Sequence, residues 1–176
     1  MKNNIHPLAD CMSPHVGEGT NIWQFCVVMP GARIGDDCNI CANVVIENDV
    51  VVGHHVTVKS GVQLWDGVTL EDHVFIGPNA TFTNDAVPRS KNVHYKRVDT
   101  IVRQGASIGA NSTIVGGLEI GAYALIGVGS VVTHDVPPHA LYYGNPARQH
   151  GYVTRSGLLL DMDYKDKDGV KHQLDE

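Results

Sequence analysis

The chain has 176 residues, with 19 Asp and Glu against 13 Lys and Arg and a formal net charge of -6. That length suits one domain with a real core, and the acidic balance argues against a nucleic-acid binder, which usually carries a basic face. The opening MKNNIHPLADCMSPH has no continuous apolar stretch, and no later run approaches the ~20 apolar residues that span a bilayer, so the expectation is a cytoplasmic protein with no membrane partner.

The four cysteines, Cys11, Cys26, Cys38 and Cys41, all lie in the first quarter and cannot staple the whole chain. Cys38-Asn-Ile-Cys41 has the spacing of zinc knuckles and redox motifs, but no second pair follows to complete a tetrahedral site. They read as packing residues.

From Val16 the chain falls into sixes. Ile22, Val28, Ile34, Ile40 and Ile46 open successive hexads, and the column continues to Ile76 and Phe82. Four residues after each comes a second column that starts Thr20, Cys26, Ala32, Cys38 and runs to Ala80 and Ala86. The frame restarts at Val102 and continues through Ile108 to Val132, with Ala106, Ser112, Leu118, Ala124, Ser130 and Val136 alongside. A period of six fits neither a 3.6-residue helix nor a simple alternating sheet. It fits a short strand and a turn, three to a coil, so the eighteen hexads predict an all-β fold: a parallel β-helix of about six triangular coils.

The frame breaks between the two runs. Fourteen residues, 88 to 101 on a simple count, interrupt it within an excursion loop of about 84–101 that carries Arg89, Lys91, His94, Lys96 and Arg97. Long insertions in a regular repeat are commonly functional, and these cations suit phosphates. With coils of 18 residues, Asn48, Asp66 and Asn84 stack at one corner in steps of about 5 Å. Gly116 and His134 continue the same corner above the break. After Arg148 the material changes. Asp168-Gly169 predicts a hairpin turn, giving a division into residues 1–148, the helix, and 149–176, a C-terminal capping ribbon. Asp161, Asp163, Asp166 and Asp168 match a calcium loop only superficially, because Lys165 and Asp166 occupy places an EF-hand gives to a ligand and to Gly.

The hexads resemble those of the left-handed β-helix hexapeptide-repeat acyltransferases, from Val16 to about Arg148. Asp135-Val-Pro-Pro-His-Ala-Leu141 and Gly144-Asn-Pro-Ala-Arg148 look like the ending of acetyl-CoA-dependent members. Trp23-Gln-Phe25, Gly77-Pro-Asn79, Phe82-Thr-Asn-Asp85 and Pro88-Arg-Ser90 are similar to the branch that N-acetylates nucleotide-linked 3-amino sugars for surface polysaccharides. The last two look most like the dTDP-3-amino-3,6-dideoxyhexose enzymes, with a UDP-linked sugar as the alternative. The resemblance implies a left-handed helix, a homotrimer with sites between prisms, acetyl-CoA as cosubstrate and no metal. It also implies that Asp66, Asn84 and Asp85 contact the sugar near the reacting nitrogen.

Asn48, Arg89, Trp23 and His94 are assigned to the nucleotide-sugar. Gly116, Ala106, Ala124, His134 and Arg148 are assigned to the coenzyme, with Gly116 leaving room for the thioester arm. His94 and His134 are candidate general bases because imidazole titrates near neutrality, although neither has a sequence partner that singles it out. The family also permits catalysis in which the leaving thiolate takes the proton, and that is the expectation here. Other readings stay open: a zinc lyase resembling the γ-class carbonic anhydrases, with His55 and His73 stacked but Pro78 where a third histidine is needed; a silent scaffold; and acetyl transfer to serine or another small acceptor.

Overall fold

The computed structural model describes residues 3–174, so the outermost two residues of each expected segment lie outside the described region. Every regular element is a strand, and most have two residues. The strands form three sheets of ten, seven and five, with parallel partners one coil apart, which makes a three-sided β-solenoid. The first face begins at Asn4–Ile5, the second at Asp10–Cys11 and the third at Arg33–Ile34. Among the described residues no helix is long and apolar enough to cross a membrane.

Both columns point inward. Ile22, Ile40, Ile46, Leu64, Ile76, Ile108 and Ile126 are at most 1% exposed, as are Cys26, Val44, Val62, Ala80, Ala106 and Ala124 beside them. Alternation explains this: in the two-residue strands from Asn21–Ile22 to Val131–Val132 the second side chain faces the core and the first faces out. Each large aliphatic gains roughly 1.5–3 kcal/mol from burial. Amides at the corners donate to carbonyls of the neighbouring coil, as in Asn21 N–H to Cys38 O at 2.8 Å and Trp23 N–H to Ile40 O at 2.9 Å. All four cysteines are free thiols. Burial pushes those of Cys26 and Cys38 above the ordinary thiol range, in keeping with a packing role.

The stack departs from the hexad count at both ends. Asn4–Ile5 pairs with Asn21–Ile22, a step of 17 residues instead of 18, and Asp10–Cys11 pairs with Val27–Val28 in the same short step. Coiling therefore starts before Val16, and the second face has seven strands where eighteen hexads supply six. At the top, Ile120 pairs with Val136 and Leu125 with Leu141, steps of 16. Val136 thus belongs with the large column on the third face.

In the middle, Thr81 pairs with Thr113 and Val68 with Thr100, steps of 32, so 14 residues beyond a normal coil leave the prism. The frame resumes at Thr100, two residues before Val102, and the excursion covers 84–99. Thr100 takes the buried corner place expected for Ala86, which is exposed in the loop. The ribbon also begins earlier than 149. Ala140–Gly144 and Ala147–Val153 form an antiparallel hairpin that extends the first face, and a boundary after 148 would cut its second strand. Asp168-Gly169 does lie in a turn, closed by Asp166 N–H to Val170 O at 2.9 Å, with Gly169 at φ 81°.

Candidate functional site

The second and third faces meet at the corner where the excursion leaves. Three successive coils put Glu47, Trp65 with Asp66, and Asn84 there, each just past the end of a strand of the second face. With Tyr95 and Arg97 from the loop they line a cavity of about 520 Å³. A hollow of similar size, about 500 Å³, lies low on the third face, where apolar side chains and glycines such as Val16, Ile34, Val51 and Gly53 line it together with His15, Arg33, Asp36, His54 and Asp72. Size does not separate the two, whereas the balance of the lining does: every residue of the first is polar or aromatic, and over half of those in the second are glycines or aliphatics.

The lining is tied together by hydrogen bonds that leave acceptors over. The Asp66 N–H donates to Glu47 Oε2 at 2.7 Å, and Asp66 Oδ1 accepts from the Asp49 N–H at 2.6 Å. Asn84 Nδ2 donates to the Asp66 carbonyl at 3.2 Å, and the Trp65 indole N–H donates to Phe82 O at 3.0 Å. The second oxygen of each carboxylate and the Asn84 amide oxygen are not used in these bonds.

The loop folds back over this corner by its own contacts. Asp85 and Arg97 form an antiparallel bridge at its neck, and the Val98 N–H donates to Asn84 O at 3.0 Å. Arg97 Nε donates to Asp99 Oδ1 at 2.7 Å while its Nη1 reaches Asp49 Oδ2 across the coils. Gly67 makes this packing fit, since a Cβ there would sit 2.4 Å from Asp99 Oδ1 in a backbone with φ +93°. The Asp49 and Asp99 hydrogen bonds push the Arg97 guanidinium above its ordinary value, so it stays charged. The Tyr95 hydroxyl points to Asn84 O at 3.4 Å. Burial first, then the nearby Asp85 charge, raises this phenol, which remains an O–H donor.

Three of the expected residues gather here: Asp66 and Asn84 in the lining, and Asp85 at the neck, where its Oδ1 caps the Val87 N–H at 2.9 Å. Asn48 is in the expected column but turns away, its Oδ1 accepting from the Gly31 N–H at 3.0 Å and its Nδ2 facing the Met29 sulfur. Arg89 and His94 are exposed on the loop and do not line the cavity; Arg89 donates to its neighbour Pro88 O at 2.8 Å. Trp23 stands at a different corner, between the first and second faces, where it lines a hollow with Gln24, Asn39 and Ser60. Glu47, Trp65 and Tyr95 escape the sequence reading, and Arg97 is noted there only as part of the basic loop. The available signal was small: Glu47 is polar and directly precedes Asn48 at the outer end of a hexad.

The coenzyme assignments need correction. Ala106 and Ala124 are at most 1% exposed, with methyl groups in the core, N–H groups donating within their own turns to Arg103 O and Gly121 O, and carbonyls accepting from the neighbouring coil, so they offer a coenzyme no surface. Gly116 is covered too: a Cβ there would lie 2.4 Å from Thr83 O and 2.7 Å from Val98 Cγ2. The open position is Gly117, where the nearest atom to a Cβ is 3.5 Å away. His134 is exposed on this corner, bonded to Thr133 Oγ1 at 2.9 Å. Arg148 is exposed in the hairpin that ends the first face. At the corner between the third and first faces His55 and His73 do stack, with ring centroids 4.8 Å apart. Among the described residues no group of three His, Cys, Asp or Glu side chains is placed to hold a metal ion.

Comparison with known proteins agrees with this architecture. Residues 13–48 match the bacterial transferase hexapeptide model, and residues 100–134 match the hexapeptide repeat of succinyl-transferase, so one match falls on each side of the excursion. The chain is 51% identical, over 97% of its own length and 94% of the relative, to dTDP-3-amino-3,6-dideoxy-alpha-D-galactopyranose 3-N-acetyltransferase of Aneurinibacillus thermoaerophilus. Among solved structures, a mutant GDP-perosamine N-acetyl transferase from Caulobacter crescentus in complex with CoA and GDP-perosamine aligns with a TM-score of 0.65 at 25% identity, over 75% of this chain and 56% of that one. A hexapeptide-repeat acetyltransferase from Vibrio cholerae complexed with acetyl coenzyme A aligns with a TM-score of 0.59 at 26% identity, over 80% and 72% of the two chains. With likeness over nearly the full length of both chains, this protein belongs to the hexapeptide-repeat acyltransferases, in the branch of N-acetyltransferases that act on nucleotide-linked 3-amino sugars.

Proposed function

We propose that the protein transfers acetyl from acetyl-CoA to the C3 amine of a dTDP-linked 3-amino-3,6-dideoxyhexose, with the sugar seated at the Asp66–Asn84 corner. The observation that carries this reading is the full-length likeness to an enzyme of that activity. The polar cavity at the break in the repeat supports it. Left-handed coiling, a homotrimer and a cytoplasmic location follow from the family resemblance and belong to the same proposal.

Asp66 accepts from the ammonium or a sugar hydroxyl through the oxygen not bonded to Asp49. Asn84, which gives one Nδ2 hydrogen to the Asp66 carbonyl, offers its amide oxygen and so orients an N–H of the substrate. An ionised carboxylate favours the ammonium form, so these residues hold and aim the amine, and the departing thiolate takes its proton in the end. Acetyl-CoA supplies the acetyl thioester when bound. Its arm fits along this corner past the open Gly117 and the exposed His134. The amides of Gly116 and Gly117 already donate to the hydroxyls of Thr83 and Thr100, at 2.9 and 3.2 Å, and are not the donors for a developing oxyanion. Trp23 and Arg148 lie at other parts of the prism and meet substrate or coenzyme only from a neighbouring copy. A thiol-release assay with acetyl-CoA and a panel of dTDP- and UDP-linked amino sugars tests the reading. Turnover should be fastest with a dTDP-linked 3-amino-3,6-dideoxyhexose, and no turnover with any sugar would overturn it.

A further inference from the structure

Charge in the cavity is unbalanced. Glu47 and Asp66 line it from adjacent coils, and Arg97 is the one Lys or Arg side chain among the lining residues. That guanidinium is already committed to Asp49 and Asp99, which are not in the lining. Glu47 spends Oε2 on the Asp66 N–H, and that bond anchors its carboxylate at the Asp66 backbone, in the cavity that the Asp66 side chain also lines. Two half-buried carboxylates whose nearby cation is engaged elsewhere call for a positive ligand.

Resting on the reading above, we propose that Glu47 is a specificity-determining residue: with Asp66 it forms a two-carboxylate seat that selects a sugar bearing an amine over one bearing a hydroxyl. The seat also fixes direction. A diphosphate is repelled from two carboxylates, so the sugar enters amine first and leaves its phosphates toward the basic excursion, where Arg89, Lys91 and Lys96 are exposed. Trp65 and Tyr95 supply the aromatic walls of the cavity.

Glu47→Gln separates this from a structural role, because the amide oxygen of Gln still accepts the Asp66 N–H while the charge is lost. The measurements are kcat and KM for the dTDP-amino sugar, and the inhibition constant of the corresponding sugar nucleotide with a hydroxyl in place of the amine. The proposal expects KM for the amine to rise about tenfold, as for loss of a charge-assisted contact, with kcat not lowered and the hydroxyl analogue's inhibition constant unchanged. Equal weakening toward both compounds, or no change toward either, would overturn it. Glu47→Asp provides a second arm: it keeps the charge while shortening the reach to the Asp66 amide, and should keep the preference for the amine. Wild-type enzyme inert toward every dTDP-amino sugar would defeat the functional reading itself; active wild type with Glu47→Gln unchanged would defeat only the carboxylate seat.

Discussion

Two corners of the prism use the same device to different ends. Between the third and first faces, the side chains of Asp36, His54 and Asp72 accept from backbone amides of the adjacent coil, with Glu18 N–H to Asp36 at 2.8 Å, Asp36 N–H to His54 at 3.0 Å and His54 N–H to Asp72 at 2.7 Å. Rings stack along the same corner: His55 on His73, Tyr123 on His139 at 5.2 Å, and the Arg155 guanidinium 4.5 Å from the Tyr123 ring centre. Between the second and third faces Asn48, Asp66 and Glu47 accept amides in the same manner. There, however, the chain leaves the stack at Asn84 and returns at Val98, so a loop walls the cavity, whereas no loop among the described residues covers the open hollow beside Asp36, His54 and Asp72. The repeat supplies acceptors at both corners, and the interruption adds Tyr95 and Arg97 over one set of them.

The largest effect should come from erasing that difference. Replacing residues 86–97 by a short turn should lower turnover at least about a hundredfold, as for loss of substrate positioning, while the stack still melts cooperatively by circular dichroism. Next, Asp66→Ala and Asn84→Ala should each lower kcat/KM by roughly ten- to a hundredfold with little change in melting, since each removes a polar contact with substrate. Gly105→Ala probes the uninterrupted corner: at φ +68°, the new Cβ would lie 2.4 Å from Tyr123 Cε1. It should cost roughly 1–3 kcal/mol in denaturant unfolding and leave KM unchanged. Asp36→Ala, at the same corner and about half exposed, should cost no more than roughly 1 kcal/mol and leave kinetics alone.

The smallest effect lies in the ribbon. Bonds from His172, then from the Val170 amide, hold the Asp166 carboxyl below the ordinary carboxylate range. A depressed folded-state value means that this contribution is present above about pH 3.9, the ordinary Asp value, and is lost as pH falls through the lower folded one. Hydrogen exchange at the Val170 amide, which donates to Asp166 Oδ1 at 2.9 Å, should therefore lose protection only in acid.

These contrasts explain what could be read from residues alone. The coils were legible because Ile22, Ile40, Ile46 and Ile76 occupy a fixed period and a fixed side of the pleat. The end coils were not, because Asn4–Ile5 and Val136 close steps of 17 and 16 residues that a strict count of six passes over. Asp66 and Asn84 were reachable by arithmetic, being 18 residues apart. Tyr95 and Arg97 were not, since the loop's path depends on bonds to Asn84, Asp49 and Asp99 that no period encodes. Gly116 shows the opposite error. Its column was right, but the returning Val98 covers it and leaves Gly117 open.

A crystal structure with the dTDP-linked 3-amino-3,6-dideoxyhexose and coenzyme A tests the account most directly. It should place the amine nitrogen within hydrogen-bond distance of Asp66 and Asn84, under Tyr95. A sugar seated in the hollow beside Trp23 or low on the third face, with the Asp66–Asn84 corner holding only solvent, would contradict it.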